Sequence, residues 1–151
     1  MRTIYLDYNA TTPLDARVRE AMQPAFEEAW GNPSSVHHVG QSARALLDEA
    51  RERVAATLKC KPSELIFTSG GSESTNLALL GMARQLRSHG RHIITSAVEH
   101  DAVLHPCEYL ANYDGFEVTF LPVDGVGRVS PDAVREAIRP DTVLVSIMAA
   151  N

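Results

Sequence analysis

Apolar residues recur at helical spacing along some stretches of this chain and run together in short blocks along others. Between Gln41 and Leu58 they fall at Ala43, Leu46, Leu47, Ala50, Val54 and Leu58, with charged residues between them. That stripe predicts an amphipathic helix. Glu49 and Arg53 add an i,i+4 pair in the favourable order. Lys59-Cys60-Lys61-Pro62 ends the helix, because Pro62 cannot continue it and basic residues suit its negative end. Upstream, Ile4–Thr12 starts extended and becomes turn-like. Asp15 can cap a helix to about Ala29, with Val18, Met22 and Phe26 on one face, and Pro24 inside it predicts a kink or break. Gly31-Asn32-Pro33-Ser34-Ser35 is a loop of turn formers.

Beyond residue 64 the pattern alternates. Leu65-Ile66-Phe67 predicts a short strand. Ser69-Gly70-Gly71 predicts a turn, and a helix follows with Ser72 as its N-cap, Leu77, Leu79 and Leu80 on its apolar side, and an end near Ser88 before His89-Gly90. His92–Ser96 predicts a strand and Asp101–Asn112 a helix. Phe116–Val123 predicts a strand that breaks at Asp124-Gly125-Val126-Gly127. Pro131–Ile138 predicts a helix with proline in its first turn. Thr142–Met148 is nearly continuous in apolar residues, as a strand covered on both faces would be. Strands alternating with helices predict an α/β fold around a mostly parallel sheet with flanking helices.

Composition narrows the partners. The chain has 151 residues, enough for a sizeable core. Its 19 acidic and 14 basic residues give a net charge of -5, which argues against nucleic acid as a partner. Met1–Asp7 has no signal-like apolar core and no stretch is long enough to span a bilayer, so the expected location is cytoplasmic and no membrane partner is expected. Cys60 and Cys107 form neither a disulfide framework nor a C-x-x-C pair.

Ligands of open α/β sheets bind beyond the C-terminal ends of the strands. Four places qualify: Ser69–Ser74, Val98-Glu99-His100, Val123–Gly127 and Ala149–Asn151. The first reads as an anion cup, with free N–H groups at a helix start, hydroxyls at Thr68, Ser69, Ser72 and Ser74, and two glycines that leave room for a ligand. The same residues also suit an ordinary capped turn. His100 suits either a site or a cap for the helix that follows. His37 and His38 are loop-end residues beside a candidate site wall. His100, His105 and Cys107 match no standard zinc spacing, and no metal is expected. A phosphate cup, an imidazole and the amide of Asn151 at one sheet edge would suit a phosphorylated aromatic cofactor.

These residues fall in motifs. Tyr5-Leu6-Asp7-Tyr8-Asn9-Ala10-Thr11-Thr12-Pro13, Gly31-Asn32-Pro33-Ser34-Ser35-Val36-His37, Phe67–Asn76, Glu99-His100 and Val145–Asn151 follow one another in the order seen in the cysteine desulfurases. The chain resembles the N-terminal portion of that family, in the class V branch of the pyridoxal-phosphate enzymes. The resemblance implies part of the large domain of the aspartate-aminotransferase-type (fold type I) enzymes, truncated: residues 1–14 as a segment on the small-domain side and 15–151 as an incomplete cofactor-binding large domain. It implies that Gly71 and Ser72 bind the cofactor phosphate, in place of the more common Ala-Thr. It implies that His100 lies against the cofactor ring and takes part in proton transfer, and that Asn151 contacts the ring hydroxyl. Asn9, Ala10 and Thr11 resemble a segment on the substrate side.

The implied activity is removal of sulfur from L-cysteine, giving L-alanine and an enzyme persulfide for iron–sulfur cluster or tRNA thiolation pathways. The implied partners are L-cysteine, a sulfur acceptor or scaffold protein, and a second copy in a homodimer. Another class V enzyme such as a selenocysteine lyase, or a non-catalytic short form binding a phosphate ligand or a partner subunit, is the alternative. The family's cofactor-bearing lysine, its aspartate and its persulfide cysteine come later than Asn151. The lysines here are Lys59 and Lys61, between a helix end and the Leu65 strand, and Cys60 and Cys107 do not match the family's cysteine. The expectation is a fragment that is inactive alone. In the family's sheet, strands supplied later separate Leu65–Thr68 from the other three.

Overall fold

The structure is a computed structural model that describes residues 3–150. It contains two compact units, one ending at Phe67 and the other starting at Thr68.

In the first unit, α1 (Ala16–Glu27) starts where the Asp15 carboxylate accepts the Arg17 N–H at 2.8 Å. The Arg17 guanidinium closes on the same carboxylate and holds it below the usual aspartate range. Pro24 sits within α1 without breaking it. Its missing N–H forfeits one bond, and Glu28 N–H still reaches the Pro24 carbonyl at 3.0 Å. Val18, Met22 and Phe26 do share a face, but all three are exposed.

Helix α2 (His38–Leu58) begins earlier than its apolar stripe predicts, because the His37 ring caps it through Nδ1 and the Gly40 N–H at 3.3 Å. At its end Lys59 turns left-handed, with φ of 56°. The Cys60 N–H then returns to the Ala55 carbonyl at 3.0 Å and the Lys59 N–H to that of Ala56 at 3.3 Å. This is a Schellman closure with lysine where glycine is usual. One 3₁₀ turn, Pro62–Glu64, follows. The strand expected at Leu65–Phe67 does not form. A strand needs a hydrogen-bonded neighbour. Here the Arg51 guanidinium takes the Leu65 carbonyl at 2.6 Å and lies 4.7 Å from the Phe67 ring centroid, so α2 holds the segment in place of a sheet.

The second unit is the α/β part. It comprises α3 (Gly71–Leu86), β1 (His92–Ser96), α4 (Asp101–Tyr113), β2 (Glu117–Leu121), α5 (Pro131–Ala137) and β3 (Thr142–Ser146). The strands form a parallel sheet in the order β2-β1-β3. The register slips by one residue at Val143, opposite the His92–Ile93 step. The N-cap of α3 is Gly70 rather than Ser72, which falls in the first turn.

The strand buried on both faces is β1, not β3: central position gives β1 two neighbours, whereas β3 has one and stays partly exposed. Ile93 of β1 packs with Leu79 and Ala83 of α3, with Cys107 and Leu110 of α4, and with Phe116. Burial pushes the Cys107 thiol up to about 11, an inert thiol rather than a nucleophile.

The other face of β1 holds a polar belt. His92 is fully buried, with Nδ1 at 2.7 Å from Thr142 Oγ1 on β3 and Nε2 at 2.8 Å from Thr119 Oγ1 on β2. Burial, and then the charge of Arg139, pull the imidazole pKa down. Gly90, just before β1, passes so close to β3 that a Cβ there would stand 2.1 Å from the Asp141 carbonyl oxygen.

Candidate functional site

The cup at the start of α3 is built by hydroxyl and carboxylate groups that tie down the turn before it. One oxygen of Glu73 accepts both the N–H and the hydroxyl of Ser69, each at 2.6 Å. Those two bonds, the hydroxyl's first, hold the Glu73 carboxyl below its ordinary range. Thr68 and Ser74 share a 2.6 Å hydroxyl contact, and both approach the Gly70 carbonyl. Asn76 donates to the Ser72 carbonyl at 2.9 Å.

The turn is therefore held from both sides, yet the N–H groups of Gly71 and Ser72 and the Ser72 hydroxyl make no hydrogen bond among the described residues. Beyond the adjoining residues and the helix's own backbone, no heavy atom lies within 4 Å of a Cβ placed on Gly70 or Gly71. Free donors at the positive end of a helix, with open space before them, suit an anion.

The end of β1 is anchored differently. Glu99 is 7% exposed. Its Oε1 accepts the Ser96 hydroxyl at 2.9 Å and the Met148 N–H at 2.7 Å, linking the ends of β1 and β3. The next residue, His100, is the N-cap of α4, and its Nδ1 accepts the Ala102 N–H at 3.0 Å.

A groove of about 680 Å³ runs between α3 and α4. Ser72, Asn76, Leu80 and Arg84 line it from α3, one residue per turn. His100, Asp101, His105 and Tyr109 line it from the α4 side. The structure thus brings Ser72 and His100, predicted from separate motifs, into one groove.

It does not bring the Val123–Gly127 stretch there. Asp124 spends one carboxylate oxygen on the Val126 and Arg128 N–H groups, at 2.9 and 2.8 Å, and the turn closes on itself. Asn151 lies outside the described residues. His105 lines the groove while Cys107 is buried in the core, so these two do not converge on one point. Glu73 and Glu99 fall within the stretches that the sequence marks out, but sequence reasoning gave neither of them a role of its own. The signal for Glu99 was a carboxylate three residues after the Ser96 hydroxyl that it accepts.

The family described as Aminotransferase class-V matches residues 4–151. The chain belongs to the class V aminotransferases. It is 55% identical to a relative named cysteine desulfurase IscS from Dictyoglomus turgidum, over 99% of this chain and 38% of that protein. Among solved structures, one called a NifS-like protein superposes with a TM-score of 0.89 at 44% identity, over 98% of this chain and 40% of the other. Another, described as SspA in complex with cysteine, superposes with a TM-score of 0.85 at 43% identity, over 96% and 42%. The chain thus spans about two fifths of the length of these relatives.

Class V aminotransferases and their IscS- and NifS-type members are pyridoxal-phosphate enzymes. The residues present fit the phosphate of that group: two unpartnered N–H groups, a free hydroxyl and no side chain on Gly71 to fill the space. Among the described residues, no helix is long and apolar enough to cross a membrane.

Proposed function

We propose that this chain is the phosphate-binding and histidine-bearing part of a pyridoxal-phosphate-dependent cysteine desulfurase. The observation that carries the reading is the shared groove, lined both by Ser72 at the free helix start and by His100. Its relatives' names and the cysteine in one neighbour's description support L-cysteine as substrate.

In this reading the Gly71 and Ser72 N–H groups and the Ser72 hydroxyl would hold the phosphate, and His100 and Asn151 are the residues assigned to the ring. Bound pyridoxal phosphate supplies an electron sink that weakens bonds next to the substrate's amino-bearing carbon. The chain's own residues bind and orient. Glu73 keeps the turn rigid, so no ordering is needed when the anion arrives. Glu99 fixes the peptide that carries His100.

The net reaction moves the sulfur of L-cysteine onto an enzyme thiol, giving L-alanine and a persulfide. In this reading the lysine and thiol it requires belong to the part of the relatives that this chain does not span. In this reading neither Lys59 nor Lys61 is that lysine. The proposed setting is a cytoplasmic homodimer passing sulfur to an acceptor or scaffold protein, with residues 15–151 as an incomplete large domain.

The test is purified full-length protein with pyridoxal phosphate and L-cysteine. Alanine and enzyme persulfide should appear in equal amounts in the first turnover. In a Ser72→Ala variant the cofactor should bind about ten- to a hundredfold more weakly, the range for losing one hydrogen bond to a charged group. Consumption of L-selenocysteine with no alanine from L-cysteine would reassign the protein to the selenocysteine lyases. Unchanged cofactor affinity in Ser72→Ala would remove the phosphate cup from the reading.

A further inference from the structure

We infer that the N-terminal edge of the sheet is an acid-sensitive clasp: one hydrogen-bond chain of fixed direction runs from the turn before β3 through His92 to β2, and a proton added to His92 breaks it on the β3 side alone. The chain starts from a donor that cannot be reversed. The Arg139 N–H meets Thr142 Oγ1 at 2.8 Å, and the Thr142 N–H returns to the Arg139 carbonyl at 3.0 Å, so this residue closes the turn before β3. Having accepted there, the Thr142 hydroxyl has its own proton to give, and His92 Nδ1 lies 2.7 Å away. Nδ1 then carries a lone pair and Nε2 the proton, which goes to Thr119 Oγ1 on β2 at 2.8 Å. Bonds that all point one way strengthen one another. The reverse tautomer would make Thr142 Oγ1 accept twice and leave its proton idle beside a fully buried ring.

A proton from solvent can add only at Nδ1. Two donors then face each other across 2.7 Å, and the Thr142 hydroxyl must turn away, while the bond from Nε2 to β2 keeps its direction. Two features direct the break to β3. The β1–β2 register is continuous from His92 to Ser96, whereas the β1–β3 register slips between His92 and Ile93, next to the clasp. The second feature is charge. Burial opposes a charged ring first, and then Arg139, which sits in the turn before β3. Asp141 in that turn and Glu117 on β2 favour a charged ring, but both are ion-paired with Arg139. His92 therefore recovers its ordinary proton affinity only when the turn lifts and water reaches the ring. The open form binds the proton first as pH falls below about 6.5, so the clasp is closed above that pH and opens progressively below it. None of these residues lines the groove between α3 and α4, and the clasp does not depend on a cofactor.

The experiment is nitrogen-15 NMR of the histidine rings in the full-length protein at pH 7.5, with His92→Gln to assign the signal, paired with site-resolved amide exchange from pH 7.5 to 5.5. Two amides at one level of the sheet report its two sides. The His92 N–H is bonded to the Asp141 carbonyl at 3.1 Å, and the Glu117 N–H to the Arg91 carbonyl at 2.8 Å. The expected ring has a bare Nδ1 and a protonated Nε2. Below pH 6.5, protection at His92 and Arg139, taken relative to the unstructured rate at each pH, should fall by about three- to tenfold per pH unit, tenfold being the limit for one proton. Protection at Glu117 should stay within about twofold. In His92→Gln the fall at position 92 should vanish, and in Thr142→Val the Arg139 N–H should exchange fast already at pH 7.5. A protonated Nδ1, equal falls at His92 and Glu117, or an undiminished fall in His92→Gln would overturn the inference. The tautomer and the contrast between the two amides are read on the unaltered protein, so they decide the matter even where a variant fails to fold.

Discussion

Replacing Glu99 separates what its charge does from what its oxygen does. Glu99 is nearly buried, and a single oxygen holds a hydroxyl three residues before it and a backbone N–H forty-nine residues after it. Hydrogen bonds to a charged acceptor contribute about 1.5–3 kcal/mol each, and a buried donor left without a partner costs about 1–3 kcal/mol. Glu99→Ala removes both bonds and strands the Met148 N–H at the end of the edge strand. The two bonds together set the expected loss at about 3–6 kcal/mol, a large part of the stability of an ordinary domain. Glu99→Gln keeps an acceptor in the same place and gives up only the charge assistance, so about 1–2 kcal/mol is expected.

Urea denaturation followed by far-UV circular dichroism measures both losses, and amide exchange at Met148 reports the bond directly. Exchange there should rise sharply in Glu99→Ala and little in Glu99→Gln. An alanine variant within about 1 kcal/mol of the original, or a glutamine variant as weak as the alanine one, would refute the argument that acceptor geometry at this edge fixes the β1–β3 junction.

Other outcomes follow from the same structure. His92 is neutral in the fold, with its pKa lowered from about 6.5, while the unfolded chain keeps the ordinary value. The unfolded state therefore binds the extra proton first as pH falls below about 6.5. Stability is full above that pH and declines below it, by at most about 1.4 kcal/mol per pH unit from this group. Melting curves from pH 7.5 to 5 should be steeper in the original protein than in His92→Gln, and equal slopes would exclude the histidine. Gly90→Ala should destabilise by about 1–3 kcal/mol or more, because the Cβ meets a backbone carbonyl that cannot rotate away. A midpoint unchanged in urea would contradict that contact. Lys59→Gly should stabilise by roughly 1 kcal/mol by relieving the left-handed residue in the Schellman closure, read from the same denaturation curves.

Local patterns made much of this legible in the sequence. The stripe from Ala43 to Leu58 gave α2, and Asp15 gave its cap correctly, because both are decided by neighbours in the chain. The turn and helix start at Gly70-Gly71 were legible for the same reason, since both are local features. What needed the third dimension was missed. Leu65-Ile66-Phe67 looks like a strand, yet whether it becomes one depends on a neighbour to pair with, and here the Leu65 carbonyl goes to Arg51 instead. Apolar content pointed to β3 as the strand covered on both faces. Position in the sheet gave that burial to β1, which carries His92, Thr95 and Ser96. Buried polar residues hide a strand from hydropathy, and their partners lie tens of residues away.

The two histidines at the start of β1 and just past its end show how position decides what one side chain is left free to do. His92 enters the strand and spends both ring nitrogens on threonine hydroxyls from the strands on either side. It has no nitrogen left, and full burial keeps any ligand away. His100 lies just past the strand and spends one nitrogen on the helix it caps, which leaves Nε2 and an exposed ring beside the groove. In a parallel sheet the N-terminal edge is where helices return, so polar groups there are closed off by packing. At the C-terminal edge helices begin, and their first N–H groups need partners. A histidine at that edge can satisfy one such group and still present a proton to something else. The cap at His100 and the empty donors at Gly71 and Ser72 are thus two answers to the same unmet demand. One is met from within the chain, and the other is left open among the described residues.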